Sequence, residues 1–266
     1  MPKTPAFVGL LDTYSGASVA YSLRKLSSTY IGNCIRVRRS SDNTEQNIGF
    51  VSNVLDTASL LTFCGAGDGF VTTWYDQSGN TKNAAQATAI NQPRIVNAGT
   101  LDIVNGKTAV LGDGINDTLR NATLSLTNPV SIFTVVDKVG NTGAFGLFGT
   151  GGGQHGCFLL SATGYSLYQN GPSFSPDYNN NNQSLLVAKT ATTGTNWEIY
   201  GNNTTVTNGG QNIGTAIGTI VSLFERDSTT IRSNMYMQEY IVWNSNQMTN
   251  RAGIQTEINT YYNIYP

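Results

Sequence analysis

Gly69-Phe70-Val71-Thr72-Thr73-Trp74-Tyr75-Asp76-Gln77-Ser78-Gly79-Asn80 divides into two unlike halves. The first is β-branched and aromatic, the composition of a half-buried strand. The second, Asp76 to Asn80, is dense turn chemistry. An Asp there can accept a hydrogen bond from the backbone two residues on and hold the turn. A strand that runs straight into such a turn predicts a β-rich fold. Trp74, inside the apolar half, reads as core. Asp76 reads as a turn-holder, with a calcium or sugar ligand as its other reading.

The rest of the chain agrees. Of 266 residues, 39% are hydrophobic and only 12% charged, with 29 Gly. That charge content is about half the usual ~25%. Asn, Ser, Thr and Gly take the place of charge, which suits strands, turns and contacts with neutral partners. The net charge of -1 predicts no field that would steer nucleic acid. The N-terminal 45 residues are mildly basic, yet Ile35-Arg36-Val37-Arg38 alternates as a strand with one solvated side does. Cys34, Cys64 and Cys157 are far apart and form no C-x-x-C or Cys/His pattern, so neither zinc nor another metal or cofactor is expected. No apolar leader follows Met1 and no apolar run reaches 18 residues, so neither a signal peptide nor a membrane span is expected.

In chain order, Ser18 could cap a short helix with Val19, Ala20, Leu23 and Leu26 on one face. Asp56 could cap a second, ending at Gly65. From Gly69 onward strands recur at short, turn-punctuated intervals up to Met235–Trp243, and a helix over about 249–262 closes the chain. Neither repeat nor linker composition marks a boundary. The expectation is one domain over 1–266, with 1–68 as a helical decoration packed on it.

Three blocks then come into register. They are Trp74 to Asn80 with Asn83-Ala84-Ala85-Gln86; Asn105-Gly106-Lys107 with Gly112-Asp113-Gly114; and Gln238 to Asn244 with the closing helix. Their order resembles laminin-G-like, concanavalin-A-like domains. This implies an all-β jelly-roll sandwich with short N-terminal helices and one C-terminal helix. Residues 20–26, 36–42 and 56–64 resemble the start of the catalytic domain of arabinofuranosidase B, which also carries a Tyr-Asp-Gln-Ser-Gly-Asn block. That resemblance implies a retaining glycosidase with two carboxyl groups about 5 Å apart. It puts the acid/base at Asp227, but it sets Gly156 where the nucleophilic Glu belongs. Leu10 to Ala17 with the Tyr21-Ser22-Leu23-Arg24 block is similar to laminin-G-like proteins of tailed bacteriophages.

On the glycine at 156, the expectation is a non-enzymatic virion surface protein: a capsid decoration, head fibre or tail receptor-binding module. It would be made in the host cytoplasm, form a homo-oligomer with other virion proteins as partners, and bind cell-surface glycan. The alternative is an arabinofuranosidase-like hydrolase, with Asp227 as its remaining catalytic candidate. Tyr165, Tyr168, Asn170 and Tyr178 are the candidate glycan-binding residues, because aromatic faces stack on sugars and amides pair with hydroxyls.

Overall fold

The computed structural model describes residues 6–127, 129–141, 143–148, 157–160, 164–168, 174–178, 180–190, 198–208, 216–225 and 231–266. Two sheets diverge from one strand, Gly69–Trp74. Its first half pairs with Arg94–Asn97, which leads through Val110–Asp113, the closing strand Asn234–Trp243 and Ser131–Lys138 to Ser184–Lys189 and Glu198–Gly201. Its second half pairs with Ala84–Ala85, which leads through Leu119–Asn121 and Ile220–Leu223 to Ala144–Phe148 and Cys157–Leu160. Every one of these pairings is antiparallel. The result is the expected β-sandwich. Val37, Val71, Trp74, Val110, Leu119, Val136, Phe145 and Leu223 belong to the main core.

A third layer covers part of the outside. The closing helix Arg251–Tyr262 buries Ile254, Ile258 and Tyr262. They share a second cluster with Phe133, Val135, Ile241 and Trp243. Ser131–Lys138 therefore feeds both cores, Ile132 and Val136 the main one, Phe133 and Val135 the second.

The helix expected to start at Ser18 is instead a strand, Ala17–Ser22, paired with the closing strand. Short apolar runs suit a buried strand as well as a helix face, and here both faces of the segment are covered. Residues 35–39 likewise pair with Gly69–Trp74, so residues 17–64 are woven into the sandwich where the sequence suggested a decoration. The second expected helix is present as Thr57–Cys64, with Asp56 accepting from the Ser59 N–H at 3.0 Å. Among the described residues, no helix is long and apolar enough to cross a membrane.

The Tyr75–Asn80 block turns out to be mortar. Asp76 is buried, and one carboxylate oxygen accepts from the N–H groups of Ala20 (2.8 Å) and Ser78 (2.9 Å). The other accepts from the Ser78 hydroxyl (2.7 Å) and the Lys82 N–H (3.0 Å). Gln77 donates to the carbonyls of Ser22 and Arg24 and accepts from the Leu26 N–H. Asn80 donates to the carbonyl of Ala17. The side chains of one turn thus satisfy the backbone of the entry strand, which the sheet alone would leave open.

Below them, Arg24 and the fully buried Glu239 form an ion pair at 2.8 Å, and Arg24 also reaches Glu257 on the closing helix at 2.8 Å. Removing one member of a buried pair strands the other. Glu239→Ala is therefore expected to cost about 3–5 kcal/mol of unfolding free energy, read as a fall in the urea midpoint. An unchanged midpoint would mean that the pair does not hold these segments.

Candidate functional site

Six residues from six strands stand in one cross-strand row. Arg38 is opposite Phe70, Phe70 opposite Arg94, Arg94 opposite Leu111, Leu111 opposite Tyr236, and Tyr236 opposite Asp137. Directly opposed residues project from the same face of a sheet. Their neighbours Val37, Val71, Val110 and Met235 point into the core, so the row lies on the outer face, away from the part under the closing helix. All six are half-buried. At about 4.8 Å per strand, the row runs for roughly 24 Å.

Its Arg38 end opens into a cleft of about 470 Å3, bounded by Phe70, Arg94, Leu111, the short turn with Ala89 and Ile90, and the Asp113–Asp117 turn. The Arg38 guanidinium lies 4.7 Å from the centre of the Phe70 ring. It is fixed there by donation to Gln92 (2.6 Å), Asn43 (2.8 Å) and the Ala89 carbonyl (3.2 Å). Arg94 is held in a two-pronged contact with Asp102, at 2.9 and 3.1 Å. Both guanidiniums are therefore oriented before any ligand arrives.

The opposite wall is acidic. One oxygen of Asp113 accepts from the N–H groups of Ile115, Asn116 and Asp117, and Asp117 accepts from the Asp113 N–H at 3.0 Å. Just before the turn, Gly112 leaves room for the buried Phe224 ring, which a side chain there would strike. Burial, helped by the nearby Asp113 charge, pushes the Asp117 carboxyl up to about 7. Burial likewise lifts Asp137, at the far end of the row, to about 6. The face thus offers two carboxyl groups raised to about 7 and about 6, fixed cations and an aromatic platform. Such a set can exchange hydrogen bonds with hydroxyls and donate a proton.

Beside the cleft, Glu225 is wholly buried and ion-paired with Arg120 and with Arg232, the latter at 2.8 Å. Glu225 and Arg232 also form an antiparallel bridge, so the ends of the 226–230 segment are tied together. Burial lowers the Arg232 guanidinium below its usual range, and the nearby Asp113 charge offsets part of this.

The candidates named from sequence fare differently. Asp227, Gly156 and Asn170 lie outside the described residues. Tyr165 is not an exposed glycan platform: it is fully buried within the core, and burial raises its hydroxyl well above the usual tyrosine range. Tyr178 is half-buried, its hydroxyl accepting from Asn180 and its ring packed against Gly201. Tyr168 lies in the strand Tyr165–Tyr168, with its side chain outside the described residues. Sequence reading missed the row because its members are scattered from 38 to 236 and each is an ordinary outward position. The one local signal was the pair of Asp residues flanking Gly114-Ile115-Asn116. Among the described residues, no group of three or more His, Cys, Asp or Glu side chains could hold a metal ion.

A family model described as alpha-L-arabinofuranosidase B, catalytic, matches residues 13–111. Comparison with curated protein sequences finds no match. Among solved structures, a GH54 α-L-arabinofuranosidase soaked with a cyclic sulfate inhibitor superposes with a TM-score of 0.77 at 19% identity, covering 94% of this chain and 65% of that one. An arabinofuranosidase complexed with arabinofuranosyl-α-1,2-xylobiose gives 0.76 at 20% identity, covering 94% and 64%. A GH54 mutant soaked with 4-nitrophenyl α-L-arabinofuranoside gives 0.76 at 18%, covering 94% and 65%. At this identity the likeness establishes a shared sandwich. The chain spans just under two thirds of the length of these structures. The expectation of a non-enzymatic virion surface protein is corrected by these matches, which run to an arabinofuranosidase catalytic domain.

Because folded Asp117 keeps its proton to about pH 7 while an unfolded Asp loses it near 3.8, the folded state binds more protons between those values. Stability therefore falls as pH rises across that window. Asp117→Asn keeps the hydrogen-bond acceptor and removes the titration. Its urea midpoint, measured from pH 4 to 8, is expected to decline less than that of the wild type. Parallel curves would show that Asp117 titrates normally.

Proposed function

We propose that this chain is an arabinofuranosidase-like glycoside hydrolase domain, acting on arabinofuranosyl groups attached to a carbohydrate. One coincidence carries the reading: the family match over residues 13–111 and the fold match over 94% of the chain point to the same kind of catalytic domain. Asp227 is the proposed proton donor, from its place in the resemblance. Glu225 does not compete for that role, since its charge is buried between two guanidiniums. It instead ties down the ends of the segment that carries Asp227.

Glycosidic cleavage needs the leaving oxygen protonated while a nucleophile reaches the anomeric carbon. Gly156 has no carboxylate to make the covalent intermediate of a retaining enzyme. In this reading water attacks directly: its oxygen bonds to the anomeric carbon, the glycosidic bond breaks, and the leaving oxygen takes the Asp227 proton. The proton that the attacking water loses passes to solvent. The sugar product is then inverted.

The protein is expected to release 4-nitrophenol from 4-nitrophenyl α-L-arabinofuranoside, and Asp227→Asn is expected to lower kcat about 10²–10⁴-fold. Proton NMR of the first-formed arabinose is expected to show the β anomer. No release above buffer would overturn the hydrolase reading, and the α anomer would overturn the single displacement.

A further inference from the structure

We propose that the cleft between Phe70, Arg94 and the Asp113–Asp117 turn is a binding subsite for neutral sugar units of a polysaccharide main chain. It would hold the polymer that bears the group to be removed. The proposal rests on the hydrolase reading for the class of ligand, and on the cleft's own geometry for its place.

Four observations carry it. First, the cleft, at about 470 Å3, falls in the range of about 300–1,000 Å3 typical of ligand sites. Secondly, its floor is an oriented aromatic. Phe70 is half-buried, and a guanidinium held by three hydrogen bonds lies over one face of its ring, leaving the other face for a ligand. A ring of that kind packs against the apolar C–H face of a pyranose, and the exposed Ile90 extends the same surface at the rim.

Thirdly, the charges are matched. Two guanidiniums face two carboxyl groups across the cleft, and Arg94 is already neutralised by Asp102. An anionic polymer would meet the carboxylate of Asp113, and a cationic one would meet the guanidiniums. A neutral polyol suits both walls, because each hydroxyl both donates and accepts. Fourthly, the cleft is one end of a 24 Å row, by the strand spacing of about 4.8 Å, and the row continues through Leu111 to Tyr236. A second aromatic, three strands or about 14 Å from Phe70, suits an extended chain better than a single sugar.

The test is affinity gel electrophoresis of the full chain in gels containing soluble neutral arabinoxylan, with polygalacturonate gels for comparison. Wild type is expected to be retarded by arabinoxylan and not by polygalacturonate. Phe70→Ala and Ile90→Asp are expected to weaken retardation at least fivefold in apparent Kd. Ile90 is mostly exposed, so its variant reports on binding even if Phe70→Ala fails to fold. Ile31→Ala, on a distant exposed loop, is expected to bind as wild type. Asp227→Asn is expected to bind arabinoxylan while losing hydrolysis, which separates the two readings. Hydrolysis without retardation, equal retardation of the Ile90→Asp variant, or preference for polygalacturonate would each overturn the subsite. Retardation that depends on Ile90 would support it even in a protein that cleaves nothing.

Discussion

The structure depends on a carboxylate that water cannot reach. Glu239 lies in the middle of the closing strand with its side chain fully buried. It accepts from Ser22 (2.7 Å) and from two nitrogens of Arg24 (2.8 and 3.1 Å), with the Tyr262 hydroxyl at 3.3 Å. Arg24 then reaches the closing helix through Glu257 and lies over the rings of Tyr261 and Tyr262. A charge in such a place is tolerable only if it is matched and hydrogen-bonded. Meeting that condition forces the entry strand, the last strand and the last helix to one point. Residues from the two ends of the chain therefore meet in the middle of the fold.

The same logic explains the Tyr75–Asn80 block. Its polar side chains are turned inward, where each satisfies backbone groups of the entry segment. On the other side of the sheet Phe70 and its cross-strand partners face outward. One strand thus separates the role of mortar, at its C-terminal end, from the role of platform, at its N-terminal end.

Carboxyl groups in this molecule are sorted by surroundings. Glu239 and Glu225 are buried against guanidiniums and serve as ties. Asp76 is buried against N–H groups and hydroxyls and serves as a turn-holder. Asp117 is buried and Asp137 half-buried, each with less compensation, and burial raises the first to about 7 and the second to about 6. Only the last pair faces the outer row, so the titrating groups and the open face coincide. Perturbed carboxyls gathered on one open face are a pointer to function.

Much was legible in the sequence alone. Alternation and turn residues determined the sandwich, Asp56 and Gly65 the second helix, and the spacing of Ile254 and Ile258 the closing helix, because each depends on neighbours a few residues apart. Trp74 as core and Asp76 as a turn-holder were legible for the same reason. Tertiary structure alone decided that residues 17–22 form a strand, since the closing strand beside them overrides an ambiguous local pattern. It alone buried Tyr165, and it alone drew Arg38, Phe70, Arg94, Leu111, Tyr236 and Asp137 into one row. That row exists through pairing register between strands up to 125 positions apart, from Leu111 to Tyr236. Register is set by which side chains the core accepts, a property of the assembled sandwich that no local stretch contains.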